Sequence, residues 1–122
     1  MDDALFQPAP IKPPVTFGDM NRLDIRVGTI LSVEDINGSD KLVRLKVDFG
    51  DHQRNILAGM KQERAGPAEI TGRQALFVIN LPPKKIMGEV SEGMLFDIGY
   101  ADGVMPALAI PERPVPNGSR AG

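Results

Sequence analysis

A chain of 122 residues is long enough for one domain with its own hydrophobic core and too short for two. It holds no cysteine, which excludes disulfides, thiolate metal sites and cysteine nucleophiles, and its single histidine leaves little from which to build a metal cluster or a histidine-assisted nucleophile. The formal charge of −2 hides an uneven distribution: residues 41 to 87 hold nine Lys or Arg against four Asp or Glu, and the remainder five against twelve.

The opening Met1-Asp2-Asp3 runs into prolines without the basic start or apolar core of a secretion signal, and no segment approaches membrane-spanning length. These features predict a soluble cytoplasmic protein with no membrane partner. Eight of the eleven prolines lie in the flanks, at positions 8, 10, 13, 14, 106, 111, 114 and 116. Such segments cannot pair as central strands, so the flanks are expected to run extended over the surface or over a second copy of the chain. Leu5, Phe6, Ile11 and Val15 are too apolar for a freely solvated tail. The expected organisation is a proline-rich extension with a short helix over 1–22, a core domain over 23–110 and a second extension over 111–122.

Thr16 is placed to cap a short helix through Asp19, Met20 and Asn21. Alternation from Leu23 predicts a first strand running on to Val33, with Gly28 marking a bulge or bend. After the loop Asn37-Gly38-Ser39-Asp40, Leu42 to Phe49 alternates cleanly: Val43, Leu45, Val47 and Phe49 face the core, and Arg44, Lys46 and Asp48 face solvent. Gly50-Asp51 turns into a third strand, Arg54 to Ala58, and His52 reads as a solvated turn residue. Gly66-Pro67 followed by Gly72 brackets a helix of a turn or two, expected to plug a barrel. Gln74 to Asn80 and Gly93 to Tyr100 predict two more strands, and Asp102-Gly103 a tight hairpin into a last one, Val104 to Ile110.

Three curved strands, a short helix and two further strands is the order of a five-stranded Greek-key barrel, the OB-fold, with an SH3-like barrel as rival. The expected class is all-β, with the helix between strands 3 and 4. The chain shows no phosphate-binding glycine loop, and the pairs Asp24/Glu34 and Glu89/Glu92 read as surface carboxylates rather than acid–base couples, so no enzyme and no cofactor are predicted.

Binding groups are more promising. Pro82-Pro83 stiffens the chain before Lys84 and Lys85, which predicts two ammonium groups presented together on a rigid loop, a grip for phosphate. Lys41, Arg44 and Lys46 form a basic stripe along one strand, and Ser91 and Glu92 supply a hydroxyl and a carboxylate able to read base edges. With no Trp, one Tyr and five Phe, the chain lacks a stacking platform for single strands, which favours a folded RNA.

Ordered blocks run along the chain: Leu23-Asp24-Ile25-Arg26-Val27-Gly28-Thr29-Ile30, Asp40-Lys41-Leu42, Leu45-Lys46-Val47-Asp48-Phe49-Gly50, Ile56-Leu57-Ala58-Gly59-Met60-Lys61, Asn80-Leu81-Pro82-Pro83-Lys84 and Ser91-Glu92-Gly93-Met94-Leu95. In these blocks the sequence, over roughly residues 17 to 120, resembles the tRNA-binding domain family, found as a stand-alone dimer, as an appendix to aminoacyl-tRNA synthetases, and as the export-related chaperone CsaA. The resemblance implies an OB-fold that grips the outside of folded tRNA, homodimerisation, and a binding role for Lys41, Asn80, Lys84, Ser91, Glu92 and Met94. Lys61, which closes the fourth block, joins Arg44, Lys46 and Lys85 as a further candidate. The resemblance also implies an aminoacyl-tRNA synthetase as a candidate partner. The ending Pro114-Val115-Pro116-Asn117-Gly118-Ser119-Arg120 and the Pro-Pro-Lys turn look like CsaA, which implies unfolded preproteins or peptides as the alternative ligand.

Overall fold

The computed structural model describes residues 6–62 and 64–122. Thr16 starts α1 (Phe17–Asn21): its hydroxyl accepts the Asp19 amide at 3.0 Å and the Asp19 carboxylate accepts the Thr16 amide at 3.3 Å. This capping box satisfies donors that so short a helix would otherwise leave open. The helix buries none of its residues, and every described residue from Phe6 to Leu23 is exposed.

The long strand β1 (Ile25–Asp35) serves two neighbours, pairing with β4 (Gln74–Val78) over its first half and with β2 (Val43–Asp48) over its second. A strand can do this only by bending. The ladder with β2 slips between Ile30 and Ser32, so the irregularity falls later than the expected Gly28. Gly28 instead permits close packing: a Cβ there would come within 2.6 Å of Val47 Cγ1 and 2.8 Å of Phe49 Cε1.

β3 (Gln53–Ala58) pairs with β2, and a single 3₁₀ turn, Pro67–Ile70, delivers buried Ile70 to the core before Gly72 (φ +85°) releases the chain into β4. The plug expected between strands 3 and 4 is therefore a 3₁₀ turn. β5 (Lys84–Ile86) and β6 (Glu89–Ser91) form a hairpin, and β7 (Met94–Leu95) returns to pair with β4. β8 (Asp97–Ile98) pairs with β9 (Ala107–Leu108). The main sheet runs β3-β2-β1-β4-β7, and hydrogen bonding between Glu92 N and Asn55 O at 2.9 Å draws its two edges together. This near-closed antiparallel barrel is the expected OB-fold.

Two strands depart most from the sequence expectation. The run from Gly93 to Tyr100 divides into β7 and β8, which pair with different partners. The last strand shrinks to Ala107–Leu108, because Pro106 has no amide to give to a ladder. The turn before it is not a tight Asp102-Gly103 hairpin but a loop from Gly99 (φ +95°) to Gly103 (φ +74°) enclosing a 3₁₀ turn.

The C-terminal flank is stitched to the barrel. Gln74 Nε2 donates to Val115 O at 2.7 Å, Val115 N donates back to Gln74 Oε1, and Thr29 and Gln74 both donate to Asn117 Oδ1. β10 (Arg120–Ala121) then pairs with the start of β1. Ile30, Leu45, Val47, Phe49, Ile56, Met60, Ile70 and Phe77 fill the core, with Phe49 and Phe77 edge to face at 5.5 Å. Each such side chain contributes about 1.5–3 kcal/mol by leaving water.

Candidate nucleic-acid interface

The Lys84–Lys85 segment is woven into a ladder rather than held on a loop. Past Pro83 the amides are free to pair again, and Lys84 lies opposite Ser91, Lys85 opposite Val90 and Ile86 opposite Glu89. A two-residue turn, Met87 (φ +51°) and Gly88 (φ +79°), joins the strands in the doubly left-handed geometry that matches their twist. Successive strand residues project to opposite faces, so the two exposed ammonium groups leave the ribbon from different sides. They are not the adjacent pair that the sequence predicts.

The hairpin is fastened over the outer faces of β2 and β3. Arg44 on β2 donates to Glu89 at 2.8 Å and to Glu34 at 2.7 Å. Its charge is spent twice over, and the Arg44 guanidinium holds the Glu34 carboxyl below its ordinary range. Ser91 is buried: its hydroxyl accepts from Leu57 N and donates to Gly93 O, both at 3.0 Å. Glu92 accepts from Asn55 N at 3.1 Å. Asn80 bridges two backbones, accepting from Asp24 N at 2.7 Å and donating to Arg22 O at 2.6 Å. Lys61 reaches inward to the carbonyls of Ile36 and Ser39 and to the Asp35 carboxylate.

Those five groups hold the frame. Lys41, Lys46, Lys84 and Lys85 are exposed, and among the described residues none of the four forms a salt bridge. Lys46 shares the outer face of β2 with Arg44, so it stands on the strand to which the hairpin is tied. Met94 is half exposed on the edge strand and lines a groove with Lys41 and Tyr100.

Sequence reasoning missed Arg54. Its Nη1 donates to Ile79 O at 2.7 Å and Glu92 O at 3.0 Å, so one guanidinium on β3 holds both loops that flank the hairpin. Partners 25 and 38 residues away leave no local signal. Its Nε donates to His52 Nε2 at 3.0 Å, and His52 stacks on Phe49 with ring centroids 5.5 Å apart. The histidine expected to be solvated is thus packed and bonded.

A family described as "Putative tRNA binding domain" matches residues 25–120. A methionine–tRNA ligase of Porphyromonas gingivalis is 42% identical over 113 residues, covering 89% of this chain and 16% of that protein. One from Bacteroides fragilis is 39% identical over 97% of this chain and 17% of the relative. The chain thus spans about a sixth of those relatives. Among solved structures, a MetRS-related protein from Pyrococcus horikoshii superposes with a TM-score of 0.83 at 32% identity, covering 91% of this chain and 100% of that one. The chaperone CsaA of Bacillus anthracis does so with 0.77 at 29%, covering 90% and 100%. By its barrel, its sequence blocks and these likenesses, the chain belongs to the tRNA-binding domain family.

Proposed function

We propose that this chain is a non-catalytic tRNA-binding module that works as a homodimer in the cytoplasm and recognises folded tRNA by shape and backbone charge. The observation that carries this reading is the division of labour around the hairpin. Arg44, Ser91 and Glu92 are consumed in bonds that tie the hairpin and its exit to β2 and β3, Asn80 in fixing the loop before it and Lys61 in the loop after β1, which leaves Lys41, Lys46, Lys84 and Lys85 as exposed cations without a salt bridge among the described residues. A preorganised set of cations loses little side-chain freedom when phosphate neutralises it. Lys84 stands on the face it shares with Ser91 and Glu89 and Lys85 on the other, so the two reach phosphates at different points of the RNA backbone. In this reading Asn80, Ser91 and Glu92 position the binding surface, while the lysines and Met94 touch RNA.

The exposed apolar groups of the N-terminal segment, Ile11, Val15, Phe17 and Met20, support the dimer, since none finds cover within its own barrel. The likeness to a methionine–tRNA ligase appendage makes a synthetase a candidate partner. Gel-shift titration with bulk tRNA tests the reading: a shift at low salt that fades as salt rises is expected, and no shift at low salt contradicts it.

A CsaA-like peptide chaperone is the second reading, favoured by the apolar groove that Met94, Leu95, Phe96 and Tyr100 line. It predicts capture of an unfolded preprotein that persists in high salt, because apolar contact is not screened. Capture that fades with salt contradicts it.

A further inference from the structure

The charge map of the sequence assigns acidic character to both ends of the chain, and folding undoes that at one place. β10 returns beside β1 so that Arg120 lies directly opposite Arg26. Directly opposed residues in a ladder project to the same face, where like charges repel. Both guanidinium groups turn to Asp24. Arg26 grips the carboxylate in a fork, Nε to Oδ1 and Nη2 to Oδ2, both at 3.0 Å. Arg120 approaches the same two oxygens at 3.1 and 3.4 Å.

One carboxylate thus serves two guanidinium groups, and a full positive charge is left over. Arg120 carries that excess outward: its side chain is 65% exposed, against 24% for Arg26 and 22% for Asp24. Asp51 also favours the Arg26 cation through its charge, and its carboxylate is hydrogen-bonded to His52 at 2.7 Å. Arg22, exposed and two residues before Asp24, is a third cation close by in the chain.

This cluster is joined to the proposed RNA surface. Asn80, which opens the loop to Pro82, Pro83 and Lys84, binds the backbone on both sides of Leu23, at Arg22 O and Asp24 N. Ile25 pairs with Val78 at the end of β4. The loop that feeds the hairpin and the arginine cluster are therefore fixed to one another through a few bonds.

We propose that Arg26 and Arg120, with Arg22 close by in the chain, form a second phosphate-binding site that extends the RNA path from the lysine hairpin to the C-terminal strand. The inference rests on the tRNA-binding reading. A phosphodiester takes the place of the missing second carboxylate: its two free oxygens match the outward N–H groups of Arg120, and the Asp24 carboxylate keeps both side chains extended before the ligand arrives.

Fluorescence anisotropy with bulk tRNA, measured on the full chain over a series of salt concentrations, tests this. Arg120→Gln is expected to weaken binding about threefold at low salt and to make the slope of log affinity against log salt shallower by about 0.9, one phosphate contact. Asp24→Asn, which frees both guanidinium groups, is expected to steepen the slope by a similar amount. If Asp24→Asn fails to fold, as thermal melting reveals, Arg120→Gln decides alone. An unchanged slope in Arg120→Gln, with a reduced slope in Lys84→Ala/Lys85→Ala, overturns the arginine site and leaves the tRNA reading intact. Absence of binding by the parent chain overturns both. An Arg120→Gln chain that keeps its tRNA slope but loses affinity for a poly-glutamate peptide assigns the cluster to an acidic protein and overturns the inference.

Discussion

Ser91 shows how a residue in a binding motif can act through the fold. Its hydroxyl joins the Leu57 amide to the Gly93 carbonyl inside the protein, so Ser91→Ala leaves a buried donor and acceptor without partners. Loss of about 1–3 kcal/mol of stability is expected by denaturant titration, while the salt slope of tRNA binding stays that of the parent. A shallower slope at unchanged stability would show that Ser91 touches RNA. The sequence made Ser91 a candidate but held no sign of which way its hydroxyl turns, because the partner on β3 lies 34 residues upstream. Asp24 carries the pH dependence at this scale. Its hydrogen bonds from Arg26 hold its carboxyl below the ordinary 3.8, and Arg120 acts in the same direction. A carboxyl whose folded pKa is depressed stabilises the fold above its unfolded pKa and loses that contribution as pH falls through the folded one. Thermal melting should therefore show a loss of stability below about pH 4 that is smaller in Asp24→Asn. An acid limb identical in parent and variant would remove Asp24 from the account.

At the scale of elements, the hairpin β5–β6 decides the interface. Arg44 to Glu89 and Ser91 to Leu57 fix it to β2 and β3, and the lysines stand on it. Replacing Lys84 and Lys85 by alanine should leave melting temperature nearly unchanged, since neither side chain is buried, and should make the salt slope shallower by about 1.8. An unaltered slope would move the RNA contact away from the hairpin. The strands that alternate cleanly in the sequence, β2 above all, were legible because each apolar position faces one core. The hairpin was not. Two prolines signal a loop, and nothing in Lys84-Lys85-Ile86 carries the period-two pattern of a half-buried strand, because Lys84, on the face that carries Ser91, is exposed, as is Lys85 on the other. The last barrel strand was overextended for the reverse reason: Val104 to Ile110 reads as apolar, yet Pro106 denies it a ladder bond.

For the molecule as a whole, charge along the chain and charge in space are different maps. The stretch between residues 41 and 87 holds the exposed Lys41, Lys46, Lys84 and Lys85, but Arg44 and Lys61 in that stretch are neutralised by partners, and Arg120 from the acidic end returns to the surface opposite Arg26. The apolar flank extends the argument to assembly. Ile11, Val15 and Phe17 stay largely exposed on their own barrel, Phe6 much less so, and Leu5 lies outside the described residues. If the proposed homodimer forms through this flank, removing residues 1 to 15 shifts the chain toward monomer in light scattering. A truncated chain that remains a dimer would place the subunit contact elsewhere.

The central claim is that free cations on a rigid barrel bind the phosphates of a folded tRNA, and the salt dependence of affinity tests it most directly. Lys41, Lys46, Lys84 and Lys85, one phosphate contact each, correspond to a slope of log affinity against log salt of about −3.6 per chain, steeper by about one if the arginine cluster takes part. A slope near zero, or no tRNA binding at low salt, would contradict the account.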